Sequence, residues 1–560
     1  MKRIAYLFLV IPMLVAGCHK DDITTVDPDS TSDSTDIADD DMDTSYARTM
    51  TVVFSTSGNA TVSGAGSEQN VVISGNDVTI TNSGTEMVLY IVSGSTSDGF
   101  LKIYSGKKQG LRLKNASITN SRGAAINIQG LAATPNKGKR TDIFLVGSST
   151  LTDGSSYTLT PSTEDEKAAL FSEGQLIFSG EGSLTVNARG KAGITSDDYV
   201  RFLDGCTVSV SSSAGHGVRG KDYILVSGGT IDVSVSANGK KGFSSDSLVR
   251  FDGGATTISV TGNTVVESGD TNRVAGIKAD QLFEMNGGTL TITSSGTGGK
   301  GISGDGDGHF NGGTINITVT GNNFGSSSGG GWPGGGHSSS NNSVGAKGIK
   351  FDGNLYFDGS TVIASASKHE GIESKGTITI NAGEVYAYSS DDAINSASTM
   401  TITGGYVCAH STGNDGLDAN GNCYIQGGLV YAIGKTSPEM AIDANTEGGY
   451  KLYIQGGTIV AIGSLENESQ LTQSCYQASS WSKNVWYSMT VGDNTFAFKT
   501  PSSGGNKLVV SGASQPTVKS NVTVESGTEI LNGMVKLNAE CSGGSSVSLS
   551  NYSSGGGWGW

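Results

Sequence analysis

Proline is scarce in this chain, at 8 of 560 residues. With no Gly-X-Y period either, collagen is excluded. Charged residues make up 16 %, below the usual ~25 %. Strong helix formers are sparse, which argues against an ordinary helical enzyme. Lys and Arg number 36 against 52 Asp and Glu, a net charge of −16. So small a supply of cations argues against nucleic acid as a partner. Cysteines number 6, with no Cys-x-x-Cys spacing, which argues against a zinc site. What is plentiful is glycine, 84 residues, and the chain is 35 % hydrophobic. Much of that content is Val and Ile in alternating runs, enough to bury a core, so full disorder is excluded as well.

The N-terminus reads as an address. Met1-Lys2-Arg3 precedes a short apolar run, and residues 1–17 have the form of a secretory signal, too short to span a bilayer. Leu14-Val15-Ala16-Gly17-Cys18 resembles a bacterial lipobox, which implies cleavage before Cys18 and lipid on that cysteine. Lys20-Asp21-Asp22 resembles the short tag that sends some lipoproteins to the outer face of the outer membrane. The expected location is therefore the outer membrane, facing the exterior, with the membrane touched only through the lipid. Residues 18–45 are rich in Asp and read as a solvated tether. Beyond Cys18 five cysteines remain, and outside the cytoplasm one or two disulfides are permitted, with the pairing open.

The body of the chain repeats. GVRGKDYILVSGGTIDVSV (217–235) is matched by GFSSDSLVRFDGGATTISV (242–260). Each unit starts at a small residue followed by an apolar one: Gly193, Gly217, Gly242, Gly276, Gly301, Gly348, Gly371, Ala393, Gly416 and Ala441. Most spacings are 22–25 residues; a longer one holds the Gly/Ser insertion 321–342. The apolar residue after each anchor is a core position, and the strand after the glycine pair alternates in and out. Short strands at this period, with no helix, predict an all-β fold, a parallel β-helix in which each unit is one coil stacked at roughly 4.8 Å. The expected divisions are a β-helix over 46–465, a C-terminal β cap or small β domain over 466–552, and a flexible tail at 553–560.

Three stretches, ASITNSRGAAINI (116–128), STLTDGSSYTLT (149–160) and DEKAALFSEGQLIFSGEGSLTV (165–186) leading into KAGITSDDY (191–199), resemble the β-helix carbohydrate-binding domain family. The resemblance covers roughly residues 50–465. It implies a right-handed single-stranded helix like that of pectate lyases, bound calcium, affinity for cellulose and acidic plant polysaccharide, and no demonstrated catalysis.

Equivalent positions of successive coils stack. The residues flanking the anchors from Gly193 to Gly348 include His216, Arg219, Lys241, Lys278, Lys300, Lys347 and Lys350, and none is acidic. From Gly371 onward they are Glu370, Glu373, Asp392, Asn395, Asp415, Asp418, Met440 and Asp443, and none is basic. Two carboxylates 5 Å apart repel by roughly 3 kcal/mol at an effective dielectric of 20. Calcium, which takes six to eight oxygens in loose geometry, would relieve them. The candidate ligands are Glu370, Glu373, Asp391, Asp392, Asn395, Asn414, Asp415, Asp418 and Asp443. The competing reading is lateral pairing, because the basic coils carry Asp197, Asp246, Asp280, Asp305 and Asp352 two residues further on, and the acidic coils carry Lys375, Asn420 and Asn445.

The outward side of the later strands is aromatic, with Tyr386, Tyr388, Tyr406, His410 and Tyr431. Flat rings there suit pyranose stacking, unless the C-terminal segment packs on them. Ser196-Asp197-Asp198 followed by Gly215-His216-Gly217 resembles two polygalacturonase motifs, but no Asn-Thr-Asp precedes them and no Arg-Ile-Lys follows. The leading expectation is a non-catalytic surface lipoprotein that binds polysaccharide. A protein-binding adhesin or spacer comes next, and a lyase or hydrolase acting on uronic-acid polymers third.

Overall fold

The computed structural model describes residues 45–131, 139–158, 161, 164–325 and 343–554. The signal segment, Cys18, most of the tether, nearly all of the Gly/Ser insertion including Trp332, and residues 555–560 lie outside the described residues. The body from Tyr46 onward is one compact unit. It is all-β, and among the described residues the sole helical element is the 3-10 turn Thr446–Gly448.

Each repeat supplies one strand to each of three parallel ladders. Val218–Gly220, Tyr223–Val226 and Thr230–Val235 pair in parallel, in register, with Lys241–Ser245, Leu248–Phe251 and Ala255–Val260 of the next repeat. The polar loop after Val260 forms a small hairpin, Val265–Glu267 with Asp270–Asn272, and the ladders continue past it. Parallel sheets of this extent are compatible with a parallel β-helix.

The anchors explain the packing. Every residue after an anchor, from Ile194 through Phe243 to Ile442, is fully buried. A β-carbon on Gly217, Gly242 or Gly276 would fall 2.2–2.4 Å from a methyl of Val233, Ile258 or Ile292 on the facing strand. Glycine is needed there because the opposing residue is β-branched. From Gly348 the facing residue shrinks to alanine: on Gly348 and Gly371 the same test meets the β-carbons of Ala364 and Ala387 at 3.4 and 3.2 Å. Anchors Ala393 and Ala441 belong to this later region. A file of buried phenylalanines runs along the earlier repeats, with Phe178–Phe202 at 5.1 Å and Phe310–Phe357 at 4.6 Å between ring centroids.

The parallel pairing ends at Gln470–Leu471. Beyond it, Trp486–Val491, Asn494–Lys499, Thr517–Ile530 and Val535–Ser546 close into a four-stranded antiparallel barrel. The strand Leu508–Ser511 runs antiparallel to Thr458–Ile462. Tyr552 joins the long core, and its hydroxyl both donates to Leu465 O (3.1 Å) and accepts from Leu465 N (3.2 Å). Cys206, Cys408, Cys423, Cys475 and Cys541 are all unpaired, the first four of them buried.

Candidate functional site

One outward file of side chains runs along the anchor strands. In register it reads Arg219, Ser244, Lys278, Ser303, Lys350, Glu373, Asn395 and Asp418. The bridges Leu417–Ile442 and Ile442–Leu465 carry it on to Asp443 and Glu466, the residues that follow.

In the basic part, lateral pairing is the rule. Lys167 binds Asp197 (2.7 Å), Arg219 binds Asp246 (2.8 Å), Lys278 binds Asp280 and Asp305 (2.9 and 2.6 Å), and Lys350 binds Asp352. At the change of sign the protein supplies its own counter-charges. Lys347 reaches Glu370 (3.0 Å) and Glu373, and Lys375 also binds Glu373. Burial works against the charge of Glu373, but these two lysines hold its pKa below the usual value. His369 lies between Glu370 and Asp391, 3.0 Å from the latter. Burial opposes its protonation, yet hydrogen bonds to the two carboxylates push its pKa up to about 9. Its hydrogen bond in turn lowers that of Asp391. One donor atom from each of these three residues lies within 4.8 Å of the others. With an imidazolium in the middle, the trio is already neutralised and includes a nitrogen donor. It therefore suits an ion pair better than an oxygen-seeking cation.

Further along, no such cation is found among the described residues. Asp392, Asp415 and Asn395 are buried, and Asp418 and Asp443 are half-buried. Asn395 Nδ2 donates to Asp392 Oδ2 (3.0 Å) and also to Asp418; Asp415 N donates to Asp392 Oδ1 (3.1 Å), and Asn414 Nδ2 to Asp391 Oδ1 (3.2 Å). Asp418 shares a hydrogen bond with Asp392, and Asp443 with Glu466. Burial first, then the neighbouring carboxylates, pushes Asp392 up to about 6, Asp415 to about 7, Asp418 to about 8 and Asp443 to about 10. The flanking positions that pair charges elsewhere are here amides. Asn445 caps the 3-10 turn through Gly448 N (2.7 Å) and donates to Asn420 O (3.3 Å).

The structure thus divides the nine expected metal ligands. Glu370, Glu373 and Asp391 are committed to Lys347, Lys375 and His369, while Asn414 only supports Asp391. Asp392, Asn395, Asp415, Asp418 and Asp443 form the oxygen-rich cluster without a cation. Sequence reasoning missed Glu466. The signal was present: Ser464-Leu465 repeats the small-apolar anchor 23 residues past Ala441.

The aromatic face needs correction. Tyr431 is fully buried; its ring lies 5.6 Å from Phe498 and its hydroxyl donates to Lys499 O (2.9 Å). Tyr386 is buried in the same cluster, with Cys408, Val460, Met489 and Val518, and Tyr388 packs against it. His410 makes an edge contact with Tyr388 at 5.0 Å, and burial holds its pKa down near 4. Alternating Tyr, Ile and Val on an outward strand face is too apolar to remain in water, and the barrel covers it. Of the five expected rings only Tyr406 is exposed, 37 %, on a shallow groove of about 660 Å³ with Thr361, Gly383, Glu384 and Leu429. On a neighbouring ladder the half-buried rings of Tyr424 and Tyr453 stack at 4.7 Å. The polygalacturonase-like residues do not stand free. Asp197 is bound by Lys167, Asp198 accepts from Gln175, and His216 accepts from Lys241 N (3.1 Å) with its pKa pushed down to about 3 by burial and nearby cations.

Fold and site together define an all-β protein of stacked parallel ladders, with an acidic file on one face and shallow, partly aromatic grooves. The chain belongs to the carbohydrate-binding domain-containing protein family, whose pattern matches residues 74–416 and 353–540. No curated protein matches it. Among solved structures it is similar to a polysaccharide lyase-like protein from C. thermocellum, a gadolinium derivative, at 21 % identity. The match covers 49 % of this chain and 99 % of that one, with a TM-score of 0.38.

Proposed function

We propose that this protein is a non-catalytic, surface-exposed lipoprotein that binds polysaccharide, cellulose-like or acidic, through a right-handed parallel β-helix stabilised by calcium. Membership of the carbohydrate-binding family carries the reading. Lipid on Cys18 would hold the rod at the outer membrane, and the Asp-rich segment after it would serve as the tether. Calcium is supported by the cluster of Asp392, Asn395, Asp415, Asp418 and Asp443. Its donors are oxygens, and burial together with the neighbouring carboxylates pushes Asp415, Asp418 and Asp443 up to about 7, 8 and 10, so that these groups bind protons near neutral pH. The ion would replace those protons and let adjacent coils approach without repulsion. The glycan would lie along the groove at Tyr406 and over the Tyr424–Tyr453 stack, where flat rings offer faces to pyranoses.

The test is affinity electrophoresis of the intact chain through hydroxyethyl cellulose and pectate, with calcium and with EGTA. Retardation with calcium, weakened by EGTA and by Tyr406→Ala, is the expected result. No retardation by any glycan would move the assignment to a protein-binding adhesin. Radiolabelled palmitate incorporation, lost in Cys18→Ala, tests the anchor.

A further inference from the structure

A second site lies on the other side of the sign change. A pocket of about 390 Å³ opens between the hairpin at 265–272 and the coils of Lys300 and Lys347. That volume falls within the range of small-ligand sites. Its lining carries seven Lys and Arg against three Asp and Glu, in a chain whose net charge is −16. Its lysines at 278, 347, 350 and 375 are ion-paired, as described above. Three further cations have no carboxylate partner. Lys241 donates to Gly239 O (3.3 Å) only, and Arg273 stands exposed at the rim. Lys300 is 5 % exposed, and its ammonium has no acceptor among the described residues. An ammonium largely withdrawn from water and without a carboxylate partner is costly to keep charged. Burial and the surrounding cations accordingly push the pKa of Lys300 down to about 7 and that of Lys241 to about 8. The hairpin that brings Arg273 here is the longer loop between two otherwise regular coils.

We propose that this pocket is an oxyanion-binding subsite. Lys300 and Lys241 are its floor, Arg273 closes its rim, and the ligand is the carboxylate or sulfate ester of an acidic sugar. An ammonium with free protons and a guanidinium fork are suitable donors for either group. That the oxyanion belongs to a glycan rests on the polysaccharide reading above; that the pocket takes an oxyanion does not.

Calorimetric titration of the intact chain, with calcium present, tests it. The probes are tri-galacturonate, a sulfated cellotriose, inorganic sulfate and neutral cellotriose. The expected result is binding of at least one anionic trisaccharide, weakened tenfold or more in Lys300→Met and about threefold in Arg273→Ala, with cellotriose unaffected. Arg273 lies on an exposed loop, so its variant keeps the test open if Lys300→Met folds poorly. Sulfate bound and lost in Lys300→Met, with no trisaccharide bound, would keep the pocket and overturn its assignment to a glycan. Anionic probes bound equally by wild type and both variants would overturn the proposal, and cellotriose binding that persisted would leave the polysaccharide reading intact.

Discussion

The same file of positions behaves in opposite ways on the two sides of residue 360. Between Arg219 and Lys350, the cations of this file, Arg219, Lys278 and Lys350, each find an aspartate on their own repeat or the next. Between Asn395 and Glu466, the corresponding neighbours are Asn420 and Asn445, and the carboxylates have amide and backbone donors and one another but no cation among the described residues. A run of charge is therefore not in itself a site. What distinguishes the two regions is whether the next position supplies the opposite sign. Where it does, the result is a solvated lattice of modest energy. Where it does not, protons or a metal must compensate. Lys347 and His369 stand at the join and use up the first acidic coils.

The sharpest way to break this contrast is to remove the join. Lys347→Met leaves Glu370 and Glu373 buried with fewer partners, and losing one side of a buried pair costs about 3 kcal/mol. Equilibrium denaturation should show a loss of that order, and a loss below about 1 kcal/mol would mean that Lys375 and His369 suffice alone.

The next effect is pH-dependent. The folded pKa values of Asp392, Asp415 and Asp418, about 6, 7 and 8, lie above the ordinary 3.8. These groups therefore bind protons more tightly in the folded chain. Their contribution is fully present below pH 3.8 and is lost as pH rises through 6, 7 and 8. In EGTA the melting temperature should fall between pH 5 and pH 8. Calcium at a hundred times its Kd should restore about 2.7 kcal/mol at the alkaline end. A flat profile in EGTA would contradict the unpaired cluster.

The smallest effect is expected from the basic side. Arg219→Ala removes a partly exposed pair with Asp246 and should cost about 0.5 kcal/mol, falling with added salt. A loss above about 2 kcal/mol would show that the two regions differ less than their pairing indicates.

Much of this was legible in the sequence. The anchors could be read because a glycine facing a β-branched residue such as Ile258 or Ile292 is a steric necessity that recurs from Gly193 to Gly301. The all-β class and the in-register charge files followed from them. Glu466 was one anchor further than the repeat was followed. Other features could not be read from the period. Tyr386 and Tyr431 lie on the outward face, but what covers that face is set by strands of the later barrel, Phe498 and Lys499 among them. Arg273 sits in a loop that breaks the period, so no stacking rule assigns it a neighbour. His369 lies just outside the flanking position, and its ion pairs with Glu370 and Asp391 follow from side-chain reach rather than register.

The most direct test of the central claim is calcium titration by calorimetry at pH 7, in two buffers of different ionisation enthalpy, for the wild-type chain and Asp418→Asn. The account predicts calcium binding accompanied by proton release, since Asp415 and Asp418 titrate at about 7 and 8, and at least tenfold weaker binding in the variant. Absence of binding, or equal affinity in both chains, would contradict it.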